Sequence, residues 1–367
     1  MSESILSPEH YFDAGIFRAE QQHIYRKLWI FAGIKQLLAE PDAFLTRTIG
    51  GVPVVIQNCG GELRAFENRC AHRQMPLQFE DYGQRRLACR YHGWVYGDDG
   101  TVRSIPQEDA LYRYSAAERG QLCLQRFALR TVGNFVFVNL AASPAPLETQ
   151  FTPELLAELE AISAHFSNDA AFARIPARYN WKLNWENVLD TNHVPYVHPR
   201  SFLPLLPGMT AAADAAVPAR PPATDVSDLS FSTRSTYKLD AQAWHAMVER
   251  FGDTDNYYNF YLYPNINFIS LAGYVFLIQQ FDPVAPERTD VLFTLMVARE
   301  RKRIPALPAI LWGHMKGEKR VLDEDIILLE RLQQSLHTQD TRARHGVYES
   351  RLVDSARIYA RQIAGAA

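Results

Sequence analysis

Cysteine is scarce in this chain. Four residues, Cys59, Cys70, Cys89 and Cys123, are spread over 367, too few to staple a fold of this size, so in a reducing compartment they are packed thiols or metal ligands. An excess of either charge is also missing. With 38 basic against 41 acidic side chains and a formal net charge of -3, no polybasic field exists to hold nucleic acid or an anionic membrane nonspecifically, and partners must be recognised locally. No apolar run approaches the roughly 18 residues of a membrane span, and MSESILSPEH lacks the basic region and apolar stretch of a secretory leader; the expected location is cytoplasmic. No Gly-x-Gly-x-x-Gly follows a strand-like run, which removes the flavin and nicotinamide fingerprint. No internal repeat is visible.

What is present is 47% hydrophobic sequence, enough for a full core and ordinarily for two domains. Phe12, Ile16, Phe17, Ile24, Leu28 and Trp29 fall at helical spacing and predict an N-terminal amphipathic helix over residues 12–30. From Val52 the texture becomes β. VPVVIQ and ELRAF flank Cys59-Gly60-Gly61, WVY and TVR flank Gly97-Asp98-Asp99-Gly100, and LRTV and FVFVNL flank Gly133-Asn134, which predicts three hairpins in a small all-β unit ending near Ser143. Thr152-Pro153 caps a helix through LLAELEAISAHF. The Pro/Ala-rich run PGMTAAADAAVPARPPATD reads as a surface lid or loop. Strands return in FSTRSTYKL, NFYLYPNINFISL, YVFLIQQF and DVLFTLMV, and a long helix follows from Val321 to Leu336; together these predict an antiparallel sheet wrapped by helices.

Inside the β unit, Cys70-Ala-His72 precedes Cys89-Arg-Tyr-His92, with sixteen residues between the two pairs. Two thiolates and two imidazoles on two loops can hold a tetrahedral zinc, or a two-iron two-sulfur cluster with two cysteines on one iron and two histidines on the other. The ligand set alone does not choose. Gly93 and the neighbouring aromatics suit a loop folded tightly over a cluster. The flanks ENRCAHRQMPL and LACRYHGWVYGDDG resemble the two cluster loops of Rieske oxygenases. That resemblance implies Cys70 and Cys89 on one iron and His72 and His92 on the outer one.

A second constellation lies in NWKLNWENVLDTNHVPYVH, residues 180–198. On a regular helix His193 and His198 would point about 140° apart, so the helix must break between them, and Pro195 is the expected cause. Two imidazoles brought together in this way need one carboxylate to complete a facial triad for non-haem Fe(II); otherwise they are core or surface histidines. Positions 321, 325, 328, 329, 332 and 336 of VLDEDIILLERLQQSL form an apolar stripe interrupted by Asp325. A buried carboxylate there needs a dication or an arginine partner to offset its lost hydration. Asp323 and Glu324 read as solvated surface charge.

NWK, then EN, then Asp-x-x-His-x-x-x-x-His, and a late Glu-Asp ahead of a Glu/Gln-rich helix resemble the catalytic domain of Rieske oxygenase α-subunits almost end to end. The resemblance implies an α+β, helix-grip fold, with the Rieske domain at residues 39–143 inserted into a catalytic domain of residues 1–38 and 144–367. It implies one 2Fe-2S cluster and one mononuclear Fe(II) per subunit, with His193, His198 and Asp325 as iron ligands and Asn187 near the iron. Asp190 would link His193 to the cluster ligand His92 of a neighbouring subunit across a homotrimer, or an α3β3 assembly with a small subunit. The expected activity is that of a terminal oxygenase that takes O2 and electrons from a separate reductase, with or without a ferredoxin. Its products would be a cis-diol, a phenol or a demethylated compound from a small aromatic substrate. The other reading is a zinc-braced, non-catalytic ligand-binding protein. Arg69, Arg73, Arg85, Arg86 and Arg90 crowd the cluster loops and suit either docking of an acidic electron donor or ordinary ion pairs. Tyr257, Tyr258, Phe260, Tyr261 and Tyr263 alternate on a strand, with core packing the expected role ahead of pocket lining.

Overall fold

The computed structural model describes residues 2–207 and 222–365, so most of the Pro/Ala-rich run expected to form a lid lies outside the described residues. The chain divides into two units, Gln21–Leu147 on one side and Met1–Glu20 with Glu148–Ala367 on the other.

In the Gln21–Leu147 unit, seven strands form one antiparallel sheet in the order Ile30–Ile34, Phe135–Asn139, Arg126–Val132, Glu62–Glu67, Val52–Cys59, Ala43–Ile49, Tyr82–Gln84. The three hairpins form where the Gly-rich turns predict them, including the small Val95–Tyr96 and Val102–Ser104 pair. Phe44, Val55, Phe66, Trp94 and Leu124 close a core around Cys70 and Cys89. The β unit begins earlier in the sequence than residue 39. Ile30–Ile34 is buried at every position and pairs with Phe135–Asn139, which also shortens the N-terminal helix to Ala14–Glu20 followed by a π-type turn at Gln21–Tyr25. The apolar side chains of residues 28–34 serve the sheet, and helical periodicity stops where pairing begins.

The second unit is built on a six-stranded antiparallel sheet ordered Phe166–Ala177, Arg288–Ala298, Val275–Ala285, Ile266–Leu271, Asn256–Leu262, Phe231–Thr236. The first of these strands carries little apolar alternation. It forms because Ala170 to Ala177 pair continuously with Met296 to Thr289. The Thr152 hydroxyl caps the helix Pro153–Ser163 by accepting the Leu155 N–H at 3.3 Å. Three further helices matter for the site: Trp181–Leu189, Leu307–Leu336 and Ser350–Ile363. Trp181–Leu189 is anchored by a buried knot in which Glu20 accepts from Lys182, from Trp181 Nε1 at 2.9 Å and from the Tyr359 hydroxyl at 2.5 Å. A charge pair this deep persists because its remaining hydrogen-bonding capacity is met.

The long helix runs thirty residues and packs on the strands Phe166–Ala177 and Arg288–Ala298. Its buried row is Leu311, Met315, Leu322, Asp325, Leu329 and Gln333. Asp325 lies on that row as expected, but Leu328 and Leu332 are 43% and 44% exposed. Over thirty residues the 3.6 period selects one row facing the sheet, whereas a short window allows a neighbouring row equally well.

Candidate metal centres

In the β unit the two Cys/His loops are folded alike. The Cys70 N–H donates to Met75 O at 2.8 Å and the Gln74 N–H to Cys70 O at 2.9 Å; the Cys89 N–H donates to Trp94 O at 2.8 Å and the Gly93 N–H to Cys89 O at 3.0 Å. The residue four after each cysteine, Gln74 (φ 60°) or Gly93 (φ 72°), is in the left-handed region. A Cβ on Gly93 would come within 3.1 Å of Pro106, so the second loop needs glycine for both reasons. Both thiols are buried, and the His72 and His92 rings lie 4.7 Å apart. Trp94 stacks on His72 at 4.7 Å with planes 6° apart. His72 Nδ1 is buried with no hydrogen-bond partner, a cost a metal bond would remove. The Tyr96 hydroxyl accepts the Ala71 N–H at 2.9 Å, which leaves its proton for Cys70 Sγ at 3.1 Å.

These four side chains do not draw together around a single point. Among the described residues only His193, His198 and Asp325 form a trio with one ligand atom each, all within 4.8 Å of one another. A tetrahedral zinc, with bonds near 2.0–2.3 Å, would need its four ligand atoms at least as close. The loops fit a ligand set spread over two irons.

The trio is assembled by a chain break and a long helix. The Trp181–Leu189 helix ends at Asp190 (φ -96°, ψ 99°), followed by a 3-10 turn at Thr191–His193 and a single α-turn at Val194–Val197. The break therefore precedes Pro195, which instead occupies the first turn of the short helix, where its missing N–H costs nothing. What ends the longer helix is Asp190, whose Oδ1 turns back to accept the Asn192 N–H at 2.9 Å. His193 Nδ1 donates to the Asp190 carbonyl, and His198 Nδ1 donates to Glu324 Oε2 at 2.7 Å. Since a carbonyl can only accept, His193 carries its proton on Nδ1 and turns Nε2 toward Asp325 Oδ1 at 3.6 Å. His198 faces a carboxylate from each ring nitrogen, Glu324 Oε2 from Nδ1 at 2.7 Å and Asp325 Oδ1 from Nε2 at 2.9 Å, which favours the charged ring. A dication at the trio would take the place of the Nε2 proton, with the Nδ1 proton still held by Glu324.

The charges agree. Burial lowers the His193 pKa, and the nearby Asp325 carboxylate only partly opposes it. At His198 burial also disfavours the charged ring, but hydrogen bonds and proximity to Asp325 and Glu324 outweigh it and the direction is up. The negative charge responsible is what a dication would neutralise. Glu324 is thus not surface charge: its side chain is 30% exposed and holds both His198 and the Ser201 hydroxyl, the latter at 2.5 Å.

A cavity of about 110 Å³ opens beside the trio, bordered by Asn187, Asp190, Phe202, Tyr257, Asn259, Tyr261 and Glu318. On the tyrosine-rich strand, positions 257, 259 and 261 face this cavity, so one subset of the rings lines a pocket. Tyr258 and Phe260 turn to the other side and pack together at 4.3 Å. A larger, open groove of about 490 Å³ in the β unit, bordered by Trp29, Arg64 and Arg126, contains none of the ligating side chains.

Residues 155–365 match the catalytic domain of ring-hydroxylating α-subunits, and residues 29–115 match the Rieske [2Fe-2S] domain. The chain belongs to the ring-hydroxylating α-subunit family. Among curated relatives, choline monooxygenase of Spinacia oleracea is 30% identical over 194 residues, 51% of this chain and 44% of the relative. The large subunit of 2-halobenzoate 1,2-dioxygenase from Burkholderia cepacia is 28% identical over 194 residues, 51% and 42%. The alignments thus span less than half of either relative. The solved structure of a quaternary ammonium Rieske monooxygenase shares the fold, with TM-score 0.75 at 18% identity over 98% of this chain and 96% of that one. In this α-subunit the cofactors are a Rieske cluster and a mononuclear iron. Among its described residues no helix is long and apolar enough to cross a membrane.

Of the arginines near the α-subunit's cluster loops, Arg85 is folded inward onto Gln78 and the carbonyls of Leu77 and Ala88. Arg69 and Arg90 pair with Glu67 at 3.2 Å and Glu80 at 2.8 Å. Arg73 leans on Tyr91, and Arg86 is exposed. The guanidiniums are mostly engaged within the loops. Sequence reading missed Tyr96, Ser201, Phe202, Glu318 and the part played by Glu324. Only Tyr96 carried a local signal, a tyrosine four residues after the second histidine.

Proposed function

We propose that the chain is the terminal oxygenase component of a multicomponent Rieske oxygenase. In this reading the cluster is held by Cys70, His72, Cys89 and His92 and the iron by His193, His198 and Asp325. The single observation that carries the reading is the convergence of two imidazoles and one carboxylate, with one ligand atom from each within 4.8 Å of the others, beside a cavity, in a chain that also carries paired Cys/His loops. When bound, the two centres supply single-electron transfer and dioxygen activation, chemistry no side chain provides.

The chain's own residues supply orientation. The Asp190 carbonyl and Glu324 keep the ring protons on Nδ1, which directs Nε2 inward and raises ligand basicity. His193, His198 and Asp325 would hold the iron and, as a set of only three protein ligands, would leave it able to take dioxygen or substrate; Asn187 borders the adjoining cavity. Phe202, Tyr257 and Tyr261 give one wall of the cavity an aromatic surface. In this reading the Asp190 carboxylate, three residues from His193, would bridge to a cluster histidine, His92, of a neighbouring subunit in a trimer. Electrons would come from a separate reductase, directly or through a ferredoxin. The substrate is small, and hydroxylation and oxidative demethylation both suit the site. The rings support an aromatic substrate by stacking, but an aromatic carboxylate finds no Lys or Arg among the described residues that line the cavity.

The test is iron and sulfide analysis of the purified protein, followed by oxygen uptake with a generic reductase. Three irons and two sulfides per chain with a visible spectrum that bleaches on reduction are expected; a colourless protein with stoichiometric zinc would end this reading. Asp190→Asn should retain both centres and slow reduction of the mononuclear site, and turnover at the original rate would refute the bridge.

A further inference from the structure

Glu318 is an acid in the wrong place for a surface residue. It lies within KGEKR, a run of solvated charge by sequence, yet its side chain borders the cavity beside the metal trio. Among the described residues no hydrogen bond or ion pair reaches it. Its neighbours Lys319 and Arg320 point elsewhere, to Asp323 at 2.6 Å and Glu324 at 4.0 Å. Burial alone pushes its carboxyl up to about 7. The carboxylate lies near enough to the Tyr257 and Tyr237 phenols to raise both by its charge, secondary in each case to burial.

The groups around it are selective in kind. Phe202 and Tyr257 meet at 5.3 Å with planes 63° apart, and Tyr261 follows Tyr257 on the same face of its strand. Among the described residues the remaining polar lining is neutral hydroxyl and amide, such as Thr233, Asn259 and Gln279, apart from Asp190 and the trio. A half-buried carboxylate with no counter-ion among the described residues, set against an angled pair of aromatic rings, is complementary to a compact cation, because ring quadrupole and carboxylate both attract positive charge. A substrate carboxylate would face the opposite situation.

We propose that Glu318, together with Tyr257 and Tyr261, recognises the positively charged nitrogen of a small amine substrate that carries no carboxylate, a quaternary or protonated aminoalcohol. This rests on the oxygenase reading above and adds the substrate class to it. The geometry is consistent with the chemistry. Glu318 and Asp325 are two turns apart on one face of the Leu307–Leu336 helix, about 10 Å along its axis. An ammonium head in contact with Glu318 then leaves its attached or next carbon toward the iron side. The described walls of the cavity enclose about 110 Å³, which suits a small ligand.

Iron-loaded protein, kept anaerobic, is titrated calorimetrically with choline and with its uncharged isostere 3,3-dimethylbutan-1-ol, for wild type and Glu318→Gln. Wild type should bind choline on the order of 30-fold more tightly than the isostere, the loss typical of removing one partner from a buried charge pair. Glu318→Gln should abolish most of that preference while leaving the weak binding of the isostere within about twofold. Because the substitution removes a buried acid that has no partner, the variant should melt no lower than wild type, and its iron content should match. Protonated dimethylaminoethanol binding like choline extends the site to tertiary amines. Equal binding of choline and isostere by wild type, or undiminished choline binding by Glu318→Gln, overturns the cation assignment and leaves the oxygenase reading intact. Protein that holds no iron at the trio fails the oxygenase reading instead.

Discussion

Removing the Glu324 carboxylate should weaken iron binding without touching an iron ligand. Glu324 Oε2 accepts from His198 Nδ1 at 2.7 Å and from the Ser201 hydroxyl at 2.5 Å, so it would hold the ring proton on Nδ1 when Nε2 is given to the iron. A hydrogen bond to a charged acceptor contributes about 1.5–3 kcal/mol. With the side chain 30% exposed, solvent screening places the effect near the lower end, about tenfold in affinity. Glu324→Gln keeps an acceptor oxygen and should lose about that much. Glu324→Ala also frees the ring to take the other tautomer and should approach the 100-fold limit for residues that orient a metal ligand. Anaerobic competition with a chromophoric chelator measures the affinity. Cobalt-substituted protein offers a second readout, the paramagnetically shifted exchangeable Nδ1 proton of His198, which should be lost in Glu324→Ala. If the alanine variant holds iron within about twofold of wild type and keeps that resonance, the backbone alone positions His198 and the reasoning is wrong.

Tyr96→Phe removes the hydroxyl donor to Cys70 Sγ at 3.1 Å. A lost hydrogen bond of about 1 kcal/mol to the more negative, reduced cluster corresponds to a fall of roughly 40 mV in potential, read by redox titration of the reduced-cluster signal; an unmoved midpoint would exclude the bond. Glu186 has its carboxyl pushed up from 4.5 to about 7 by burial, against a 2.6 Å hydrogen bond from Tyr11 and the nearby Lys182. A folded value above the unfolded one means the native chain holds the proton more tightly, so its stabilising contribution is complete below about pH 4.5 and is lost as pH rises through about 7. The loss is at most about 3 kcal/mol. Glu186→Gln should flatten the dependence of melting temperature on pH between 5 and 8, and an unaltered slope would show that the acid is ionised in the folded state.

The parts of the site visible in the sequence are those whose partners are close in the chain. The Cys/His pairs stand out because each pair occupies one loop, and Asp190, His193 and His198 because they share one interrupted helix. Asp325 was visible by contrast, an acid on an apolar row, and it was found even though Leu328 and Leu332 face solvent. Glu324 and Glu318 were not visible. One holds a histidine 126 positions away and the other borders a pocket whose opposite wall is strand Asn256–Leu262, and neither relation leaves a trace among neighbouring residues that read as ordinary surface charge. The helix break assigned to Pro195 was traced to the wrong residue, because a proline in a first turn and a proline that ends a helix look alike until the cap at Asp190 is seen. Phe166–Ala177 was missed for a related reason: its partner strand begins over a hundred residues later, and its own side chains alternate too weakly to announce it.

The long helix also limits how such a site can be altered. Glu318 and Asp325 ride on one uninterrupted rod, so their spacing is set by backbone pitch. Inserting one residue between them would swing the acid about 100° around the axis and out of the cavity. A carboxylate can be re-placed against the iron only in strides of a whole turn, about 5.4 Å, so reach toward longer amines changes in discrete jumps while finer adjustment falls to the rings across the cavity.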